Sequence, residues 1–368
     1  MKILHIGNLK SGIDTYVRNI VAYASDDFEF VVVNGADDNS KPYIRRGKVL
    51  RNYKICMYRA LNPFKDLKAV WQAVRIIKKE KPDAVHCHSA KGGMIGRLAC
   101  CITGTKAFYT PHAFSFLSAG KGKKRAVFLA IEKIARLNSV MIACSESERK
   151  LGIKQVGYSE RRAKVWSNSI PAIGKDEVIQ PEGISPNEHY IISIGRPSYQ
   201  KNPLLMVEIM KRVHEKHPDV KFYLVGVGFY SPMLDEMKAL AHKYGLSEVI
   251  KLVPWVSHEE TLGYLRQSMF YITTSLYEGL PIAVLEALAM GKAVVATDVL
   301  GNRDCVRNNE NGYLLSNDAD AFAEKVCELV ENECLRERMG GKSFSLFEKD
   351  FLIDNRIKAL EEIYLGKK

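Results

Sequence analysis

The chain has 368 residues and 46% of them are hydrophobic, so it is longer than one hydrophobic core usually supports and can supply two. Its apolar runs all stop short of the roughly 18 residues that a membrane-spanning helix needs, and we therefore expect no such helix. The formal net charge is +12, which leaves nucleic acid, an anionic membrane and a phosphorylated substrate open as partners.

Apolar runs alternate with amphipathic stretches along the whole chain. The alternation predicts an α/β fold with two doubly wound parallel sheets, each covered by helices on both faces. A stretch rich in Pro, Gly and acidic residues between Ile170 and Tyr190 predicts a boundary that gives domains at residues 1–172 and 173–368. The last segment is assigned to the second domain as terminal helices. The predicted strands are KILHIG, FEFVVVNG, YKICMYRA, AVHCHS, AFYTPHA, VMIACS and KVWSNS in the first half, and YIISIG, KFYLVG, IKLV, FYITTS and AVVATD in the second.

The N-terminus and the cysteines predict a cytoplasmic protein. MKILHIG is typical of a strand and too short for the apolar core of a signal sequence. The eight cysteines contain no CxxC pair, which favours reduced, buried thiols.

The basic charge is concentrated in the first half of the chain. Residues 1–172 contain 31 Lys and Arg against 13 Asp and Glu, whereas residues 173–368 contain 23 against 29. Attraction of polyanions is therefore expected of the first domain, with a merely solubilising surface as the alternative.

Charged residues follow the strands of the second half. Ligands bind beyond the carboxyl ends of the strands in such sheets, and YIISIG is followed by Gly195, Arg196 and Lys201 while KFYLVG is followed by Gly226. Gly195 allows a tight turn, and the two cations stand where a loop enters a helix whose N-terminus favours anions. The pattern predicts a diphosphate site, although a solvated loop would have the same spacing.

The stretch EGLPIAVLE places Glu278 and Glu286 on either side of a Gly-Leu-Pro turn. Pro281 suits the first turn of a helix, so Glu278 is expected in the loop and Glu286 inside the helix. Free N–H groups near Gly279, Leu280 and Pro281 would then face a phosphate, although proline contributes none. Glu278 could bind sugar hydroxyls and Glu286 a ribose diol. The alternative is a capped helix with two ordinary carboxylates, but the segment is otherwise apolar and a buried glutamate needs a partner.

Together these motifs resemble glycosyltransferase family 4, the retaining, metal-independent nucleotide-sugar enzymes of GT-B fold. The two glutamates separated by seven residues are the signature, and ALAMGKAVVATDVLGNRD continues it. The resemblance covers nearly the whole chain and implies two Rossmann-like domains that face a central cleft, with the nucleotide sugar held mainly by the second. The other segments that agree in order and spacing are AVHCHS, TPHAF, SNSIP, GRPSYQKNP and the VGVG turn.

The resemblance implies how the second domain binds the donor. Arg196 and Lys201 would hold the diphosphate, and the nucleobase would lie near KLVPWV, which ends at Val256. Glu278 would contact the transferring sugar, and Glu286 the ribose. Cations and a helix N-terminus would stabilise the leaving phosphate without a metal ion. Residues alone leave front-face attack and a covalent intermediate open; we favour the former, with Glu278 as an orienting group.

In the first domain, the resemblance implies roles for His112 and Gly12. His112, at the end of AFYTPHA, corresponds to a histidine near the reaction centre of the family. Gly12 corresponds to a glycine loop that approaches the sugar and phosphates. The family usually has two glycines there, whereas this chain has Ser11 before Gly12.

Two patterns suggest a metal site, and neither is strong. His86 and His88 share one face of a strand, but no third ligand lies nearby in the sequence, so strand-end hydrogen bonds or a place along the cleft are expected. Asp318-Ala319-Asp320 has the form of a D-x-D metal motif but is better explained as a helix cap. We expect no metal and no cofactor besides the nucleotide-sugar co-substrate.

The acceptor is less clearly encoded. FSFLSAGKGKKR, from Phe114 to Arg125, combines an apolar lip with a basic cluster and could enter the interface of an anionic inner membrane; a solvent loop is the alternative. Membrane docking would favour a polyprenyl-diphosphate-linked saccharide acceptor, as in capsule, O-antigen or other glycan assembly. Because uridine is the commonest base in the family, we expect a UDP-linked hexose or N-acetylhexosamine as the donor.

Other functions were weighed against this one. A nucleotide-sugar epimerase or a phosphorylase shares the fold, but the glutamate signature together with GRPSYQKNP favours the transferase. A nicotinamide-dependent oxidoreductase would need G-x-G-x-x-G after the first strand, where HIGNLKSG stands. Nucleic-acid binding would explain the basic half, but the chain has no recognised binding motif, and we expect no nucleic-acid partner.

Overall fold

The computed structural model describes residues 1–58, 60, 62–120, 122–185, 188–228 and 230–367. The chain divides into two compact units, which are described separately below. Unit 1 comprises Met1–Pro171 and Leu352–Lys368, and unit 2 comprises Ala172–Phe351. The first division lies one residue before the predicted domain boundary at 172.

Unit 1 contains all seven strands that the sequence predicts for the first half. They form one parallel sheet in the order β5-β2-β1-β6-β7-β8-β9, and the short β3 and β4 form a separate antiparallel pair. The strands are β1 (Lys2–Ile6), β2 (Glu29–Gly35), β3 (Ile44–Arg45), β4 (Lys48–Val49), β5 (Asn52–Ile55), β6 (Ala84–His88), β7 (Lys106–Thr110), β8 (Val140–Ala143) and β9 (Ala163–Val165).

Helices cover both faces of the unit 1 sheet, which is why its strands are almost continuously apolar. On one face, apolar residues of α2 and α3 form a core with the strands; on the other, α1 does so. The strand order reverses between β1 and β6, so the loops after these two strands flank the switch point. The helices are α1 (Gly12–Tyr23), α2 (Pro63–Glu80), α3 (Ser89–Thr103), α4 (Lys123–Ala135) and α5 (Glu146–Leu151).

Unit 2 has a six-stranded parallel sheet in the order β12-β11-β10-β13-β14-β15, with its switch point between β10 and β13. The first five strands were predicted, whereas β15 was missed because GYLL is short and follows a turn. The strands are β10 (Tyr190–Ile194), β11 (Lys221–Val227), β12 (Ile250–Pro254), β13 (Tyr271–Thr273), β14 (Val294–Thr297) and β15 (Gly312–Leu315). The helices are α6 (Pro203–Lys216), α7 (Leu234–Lys243), α8 (His258–Gln267), α9 (Ile282–Ala289), α10 (Asn302–Cys305), α11 (Ala319–Glu331) and α12 (Glu333–Asp350).

The last helix, α13 (Ile353–Tyr364), corrects the predicted domain assignment. It belongs to unit 1, beside α1, and not to the second domain. Leu360 and Tyr364 are buried in the core on that face of the sheet, and the Trp166 indole donates a hydrogen bond to the Arg356 carbonyl at 2.9 Å. Burial of this apolar face therefore decides where the end of the chain packs.

The predicted apolar lip of the membrane segment is also corrected. Phe114 and Phe116 are 1% and 0% exposed and pack in the unit 1 core. They cannot enter a membrane without unfolding part of that core. Lys123 begins α4 in this segment, and residue 121 lies outside the described residues. Among the helices of the described chain, none is long and apolar enough to cross a bilayer.

Candidate active site

Two loops meet at the switch point of unit 2. One follows β10 and the other follows β13, and they are fastened together by hydrogen bonds. Leu276 N–H donates to the Gln200 carbonyl at 2.8 Å, Thr274 Oγ1 donates to the Lys201 carbonyl at 2.8 Å, and Gln200 Nε2 donates to the Tyr277 carbonyl at 3.1 Å. The GRPSYQK and YEGLP motifs therefore form one structure, although about 80 residues separate them.

The structure pairs Lys201 with Glu278. Lys201 Nζ lies 2.7 Å from Glu278 Oε1, which also accepts a hydrogen bond from Ser275 Oγ at 2.8 Å. Gln200 Nε2 donates to the other carboxylate oxygen at 3.2 Å. Glu278 is only 8% exposed, so these donors offset the desolvation of its charge. Burial acts most strongly on the pKa of Lys201 and lowers it, but the charge and hydrogen bond of Glu278 together with Tyr271 outweigh burial, so the pKa is raised and the amine stays protonated.

The predicted diphosphate residues lie around this pair. Gly195 has φ 144°, and a Cβ there would lie 3.1 Å from Lys201 Cε, so the glycine leaves room for the lysine stem. Its N–H donates to the Val225 carbonyl at 2.8 Å, and the following Gly226 has φ 99°. The Arg196 charge opposes protonation of Lys201, which places both cations in one electrostatic neighbourhood.

Glu286 is buried inside α9 and has a partner that the sequence did not identify. It is 6% exposed, and its Oε1 lies 2.8 Å from Nε2 of His258, the first residue of α8. The hydrogen bond to Glu286 raises the pKa of His258. The sequence SHEE contains the capping box of Ser257 and Glu260, which could have located the start of α8 but not the partner of its first residue.

The turn before α9 differs slightly from the prediction. Pro281, with φ −74° and ψ 120°, is the N-cap residue, and the helix begins at Ile282 rather than at the proline. The first N–H groups of α9 lack acceptors within the helix, as at any helix N-terminus, and so suit an anion. The loop Gly279–Leu280 precedes this end, as predicted.

Gly301 is a site residue that the sequence reasoning missed. It has φ 84°, and a Cβ there would lie 2.7 Å from the Gly279 carbonyl oxygen and 2.9 Å from Glu278 Cβ. Only glycine therefore allows the loop after β14 to approach the loop that carries Glu278. The signal was available in GNRD, which continues the signature, but its contact could not be read from sequence.

The predicted nucleobase region contains an exposed aromatic side chain. Trp255 is 65% exposed and lies against Gly228, where a Cβ would be 3.3 Å from the indole Cε3. Val256 follows it in the connection from β12 to α8 and is partly buried. An exposed indole beside the loop after β11 offers a flat surface on which a base can stack.

In unit 1, the two predicted residues lie after β1 and β7, at or beside strained backbone. Gly12 begins α1, and Ser11 before it has φ 53°, a conformation that costs a non-glycine residue energy. This is the position where the family usually has another glycine. His112 and Ala113 have φ 52° and 70°, and the buried Glu148 carboxylate accepts from Ala113 N–H at 2.8 Å. Left-handed backbone at such a position is typical of functional sites.

His112, which follows β7, ends a row of histidines whose other members, His5 on β1 and His88 on β6, are buried. His112 Nε2 lies 3.1 Å from His88 Nδ1, and His88 Nε2 lies 2.9 Å from His5 Nδ1. Burial lowers the pKa of His112 and of His5 to about 3, so both are neutral at pH 7. Ring nitrogens of His5, His86 and His88 lie within 4.8 Å of one another, close enough for a metal ion. The nitrogens joining His5 to His88 already bond to each other, so an ion that used them would displace this bond.

The D-x-D pattern is a helix cap, as predicted. Asp318 is the N-cap of α11, and its carboxylate accepts from the backbone N–H groups of Asp320 and Ala321 at 2.9 Å each.

The matches to known families agree with this geometry. A family model described as "Glycosyltransferase Family 4" matches residues 10–172, and one described as "Glycosyl transferases group 1" matches residues 174–344. The chain belongs to glycosyltransferase family 4. The two matches meet within three residues of the division between units. The Family 4 match therefore falls in unit 1 of this glycosyltransferase, and the group 1 match falls in unit 2.

Individual relatives are distant but align along most of their length. The chain is 28% identical over 323 residues to UDP-Gal:alpha-D-GlcNAc-diphosphoundecaprenol alpha-1,3-galactosyltransferase of Escherichia coli, covering 83% of this chain and 81% of that protein. It is 27% identical over 341 residues to the capsular polysaccharide biosynthesis glycosyltransferase CapM of Staphylococcus aureus, covering 86% and 87%.

Solved structures place this family 4 glycosyltransferase in the GT-B fold. Sucrose-phosphate synthase from Thermosynechococcus elongatus aligns with a TM-score of 0.86 at 17% identity, covering 100% of this chain and 99% of that one. HepE from Anabaena, solved in complex with UDP and glucose, aligns with a TM-score of 0.81 at 17% identity over 100% of both chains. The predicted fold class is therefore confirmed.

Proposed function

We propose that this glycosyltransferase is retaining and metal-independent, and that it moves a hexose or N-acetylhexosamine from a UDP-linked donor to a polyprenyl-diphosphate-linked saccharide in surface polysaccharide assembly. The observation that carries the proposal is the switch-point cluster of unit 2. There the Lys201–Glu278 pair stands in one electrostatic neighbourhood with Arg196. Such a cluster offers cations to a diphosphate and a carboxylate to sugar hydroxyls.

The chemistry follows from where charge develops. The bond between the anomeric carbon and the donor phosphate oxygen breaks, and a bond to the acceptor oxygen forms on the same face of the sugar. Negative charge grows on the leaving diphosphate, and Arg196, Lys201 and the α9 N-terminus stabilise it. The leaving phosphate takes the proton of the acceptor hydroxyl. Glu278 orients the sugar, and His112 acts near the reacting carbon.

The relatives support the choice of donor and acceptor. The Escherichia coli relative is named for UDP-galactose and for a diphosphoundecaprenol-linked sugar. HepE was solved with UDP and glucose. We extend a UDP-linked donor and a lipid-diphosphate acceptor to this chain on that basis. An epimerase or a phosphorylase of the same fold would not release UDP in step with saccharide extension, which separates these alternatives.

The first test is nucleotide binding by calorimetry and thermal shift. UDP is expected to bind and raise the apparent stability of the native protein, with GDP and ADP weaker and with no requirement for Mg²⁺. Glu286→Ala should weaken UDP binding about tenfold or more, because the ribose diol loses a charged acceptor. If none of the three nucleotides bound, the donor-site proposal would fail.

A matched control exists in the same unit. Glu331, at the end of α11, also pairs with a histidine: its Oε1 lies 3.0 Å from His217 Nε2. Glu331→Ala removes a Glu–His pair of similar geometry and should leave UDP binding unchanged. Equal weakening by both substitutions would attribute the effect of Glu286→Ala to general destabilisation.

The proposed membrane surface is on α2, in place of the buried phenylalanines of the predicted segment. Phe64, Leu67 and Trp71 are 88%, 59% and 53% exposed and, at positions i, i+3 and i+7, share one face of the helix. An exposed apolar stripe of this size is typical of a surface that binds a protein or a membrane. We commit to an anionic bilayer because basic side chains surround the stripe, which complements phosphate headgroups. They are Lys65, Lys68, Arg75, Lys78 and Lys79.

Vesicle sedimentation tests this surface. The protein should bind vesicles containing phosphatidylglycerol but not pure phosphatidylcholine vesicles, and binding should weaken with salt. Phe64→Glu combined with Trp71→Glu should lower the bound fraction about tenfold, while UDP binding stays unchanged. Phe344→Glu, at a side chain 43% exposed in unit 2, is the control. Unchanged vesicle binding by the α2 variant would refute this docking surface.

A further inference from the structure

Three buried histidines and the partly exposed His112 lie together in unit 1, and the proposed function uses only His112. His5 on β1 and His86 on β6 are register partners, and His88 lies two residues further along β6. His5, His86 and His88 are 0% exposed, whereas His112 is partly exposed. Burial lowers the pKa of all four imidazoles, so none of them serves as a charged group at pH 7. The question is what three buried neutral imidazoles do for the fourth.

The hydrogen bonds of His86 fix its tautomer and keep it apart from the others. Thr110 Oγ1 donates its only hydrogen to the Ile142 carbonyl at 2.7 Å, so it can only accept from His86 Nε2 at 2.8 Å. His86 therefore carries its hydrogen on Nε2. Its Nδ1 accepts from the Tyr364 hydroxyl at 2.7 Å.

His5, His88 and His112 form a separate chain in which the tautomers are coupled. A neutral imidazole has one N–H, so each of the two hydrogen bonds in the chain has one donor and one acceptor. If His5 donates from Nδ1, His88 must donate from Nδ1 to His112 Nε2, and the His112 hydrogen lies on Nδ1. If the chain runs the other way, all three hydrogens lie on Nε2. No mixed arrangement satisfies both bonds.

The His5 end of this row of hydrogen-bonded histidines distinguishes the two directions. His5 Nε2 is buried and has no hydrogen-bond partner among the described residues. The Phe30 ring centroid lies 5.5 Å from that of His5. The reverse direction would place an N–H there without an acceptor, and in folded proteins a buried N–H without an acceptor is rarer than an acceptor without a donor. His5 therefore donates to His88, and His88 donates to His112.

We propose that His88, held by His5, is a positioning residue that fixes the hydrogen of His112 on Nδ1. This proposal rests on the proposed role of His112 in transfer. His112 Nδ1 has no partner within the described chain, so it stays available to a ligand. A neutral imidazole with hydrogen on Nδ1 donates to a substrate oxygen without carrying charge. Other titratable groups around these three histidines are Tyr16, which contacts the His88 and His112 rings, and His86, which contacts the His5 and His88 rings. Glu148 binds the backbone of Ala113.

The tautomers can be read directly by two-bond ¹H–¹⁵N correlation on protein labelled in its nine histidines. We expect His5, His88 and His112 to carry hydrogen on Nδ1 and His86 to carry it on Nε2. A wild-type His112 with hydrogen on Nε2, or three tautomers that do not follow one direction, would overturn the proposal without any substitution.

Variants then test whether His88 controls His112. His88→Phe should give His112 a mixture of both tautomers and lower kcat for transfer about tenfold, with the Kd for UDP changed less than about twofold. His88→Asn, whose amide N–H can stand where Nδ1 stood, should restore the tautomer and most of kcat. His86→Phe removes an equally buried ring outside the chain and should leave the His112 tautomer unchanged.

The outcomes separate this inference from the proposed function. If His112→Ala left transfer unaffected, the role of His112 would be wrong, whatever its tautomer. If His112→Ala abolished transfer but His88→Phe changed neither the tautomer nor kcat, the positioning role of His88 would be wrong and the proposed function would stand.

Discussion

Replacing Glu278 by alanine is expected to lower the rate of sugar transfer by about a hundredfold to a thousandfold, the range observed when a group that orients or stabilises the reacting centre is removed. Glu278 has more polar partners than an ordinary loop carboxylate. It accepts from Lys201 Nζ at 2.7 Å, Ser275 Oγ at 2.8 Å and Gln200 Nε2 at 3.2 Å. Alanine removes both the acceptor for sugar hydroxyls and the partner that holds Lys201 in place.

Steady-state kinetics with the UDP-sugar identified by screening would measure this effect. Glu278→Gln keeps the size of the side chain and one oxygen that can accept from Lys201 and Ser275, but it removes the charge and the acceptor for Gln200 Nε2. It should retain more activity than Glu278→Ala if orientation dominates. A lower kcat with little change in KM would indicate an interaction made in the transition state. Near-normal turnover of Glu278→Ala would contradict the assignment.

The control is Glu188, another glutamate of unit 2 that pairs with a lysine. Its Oε2 lies 3.0 Å from Lys221 Nζ, and it also accepts from the Tyr223 hydroxyl. It precedes the amino end of β10, whereas the switch-point loop follows the carboxyl end of that strand. Glu188→Ala should therefore leave the kinetic constants unchanged, and an equal loss of activity there would point to an effect on folding.

Arg97→Met is expected to lower the free energy of unfolding of unit 1 by about 3 to 5 kcal/mol, because it leaves a buried carboxylate without its cation. Arg97 on α3 and Glu132 on α4 are each 2% exposed and approach to 3.3 Å. The guanidinium also donates to the Gly93 carbonyl at 2.8 Å and to the Tyr158 hydroxyl at 3.1 Å, and it lies 3.7 Å from the Tyr109 ring centroid. The pair fastens α4 to the rest of unit 1.

The loss should depend on pH in a defined direction. Burial already raises the pKa of Glu132, and Arg97 opposes that rise. Without Arg97 the folded-state pKa rises further above the unfolded value, so the folded state binds more protons and stability falls as the pH rises through this window. The loss in Arg97→Met should therefore be larger near pH 8 than near about pH 5. A pH-independent loss would mean that Glu132 does not cause it.

Denaturant unfolding followed by tryptophan fluorescence would measure the effect, since the buried Trp166 lies in unit 1. Arg303→Met is the control because its pair with Asp298 is half exposed, and it should cost less than about 1 kcal/mol. Combining Arg97→Met with Glu132→Leu removes both charges and should recover most of the stability. Failure to recover would assign the loss to packing rather than to the unpaired carboxylate.

The sequence by itself determined the features that depend on local chemistry. Apolar runs of strand length predicted twelve of the thirteen strands in the two parallel sheets of the described chain, and the glycines, prolines and charged residues after them marked the loops of the switch point. The two signature glutamates lie where the spacing predicted, one in the loop and one buried in α9. These predictions succeed because periodicity and turn preferences act over a few neighbouring residues.

Only the tertiary structure decided the contacts between distant segments. It paired Glu286 with His258, brought Gly301 against Glu278, buried Phe114 and placed α13 beside α1. It also joined His5 to His88 across 83 residues of sequence. The energies responsible are burial of apolar surface and satisfaction of buried polar groups, and both depend on which segments the completed sheets bring together rather than on the residues next to each other in the chain.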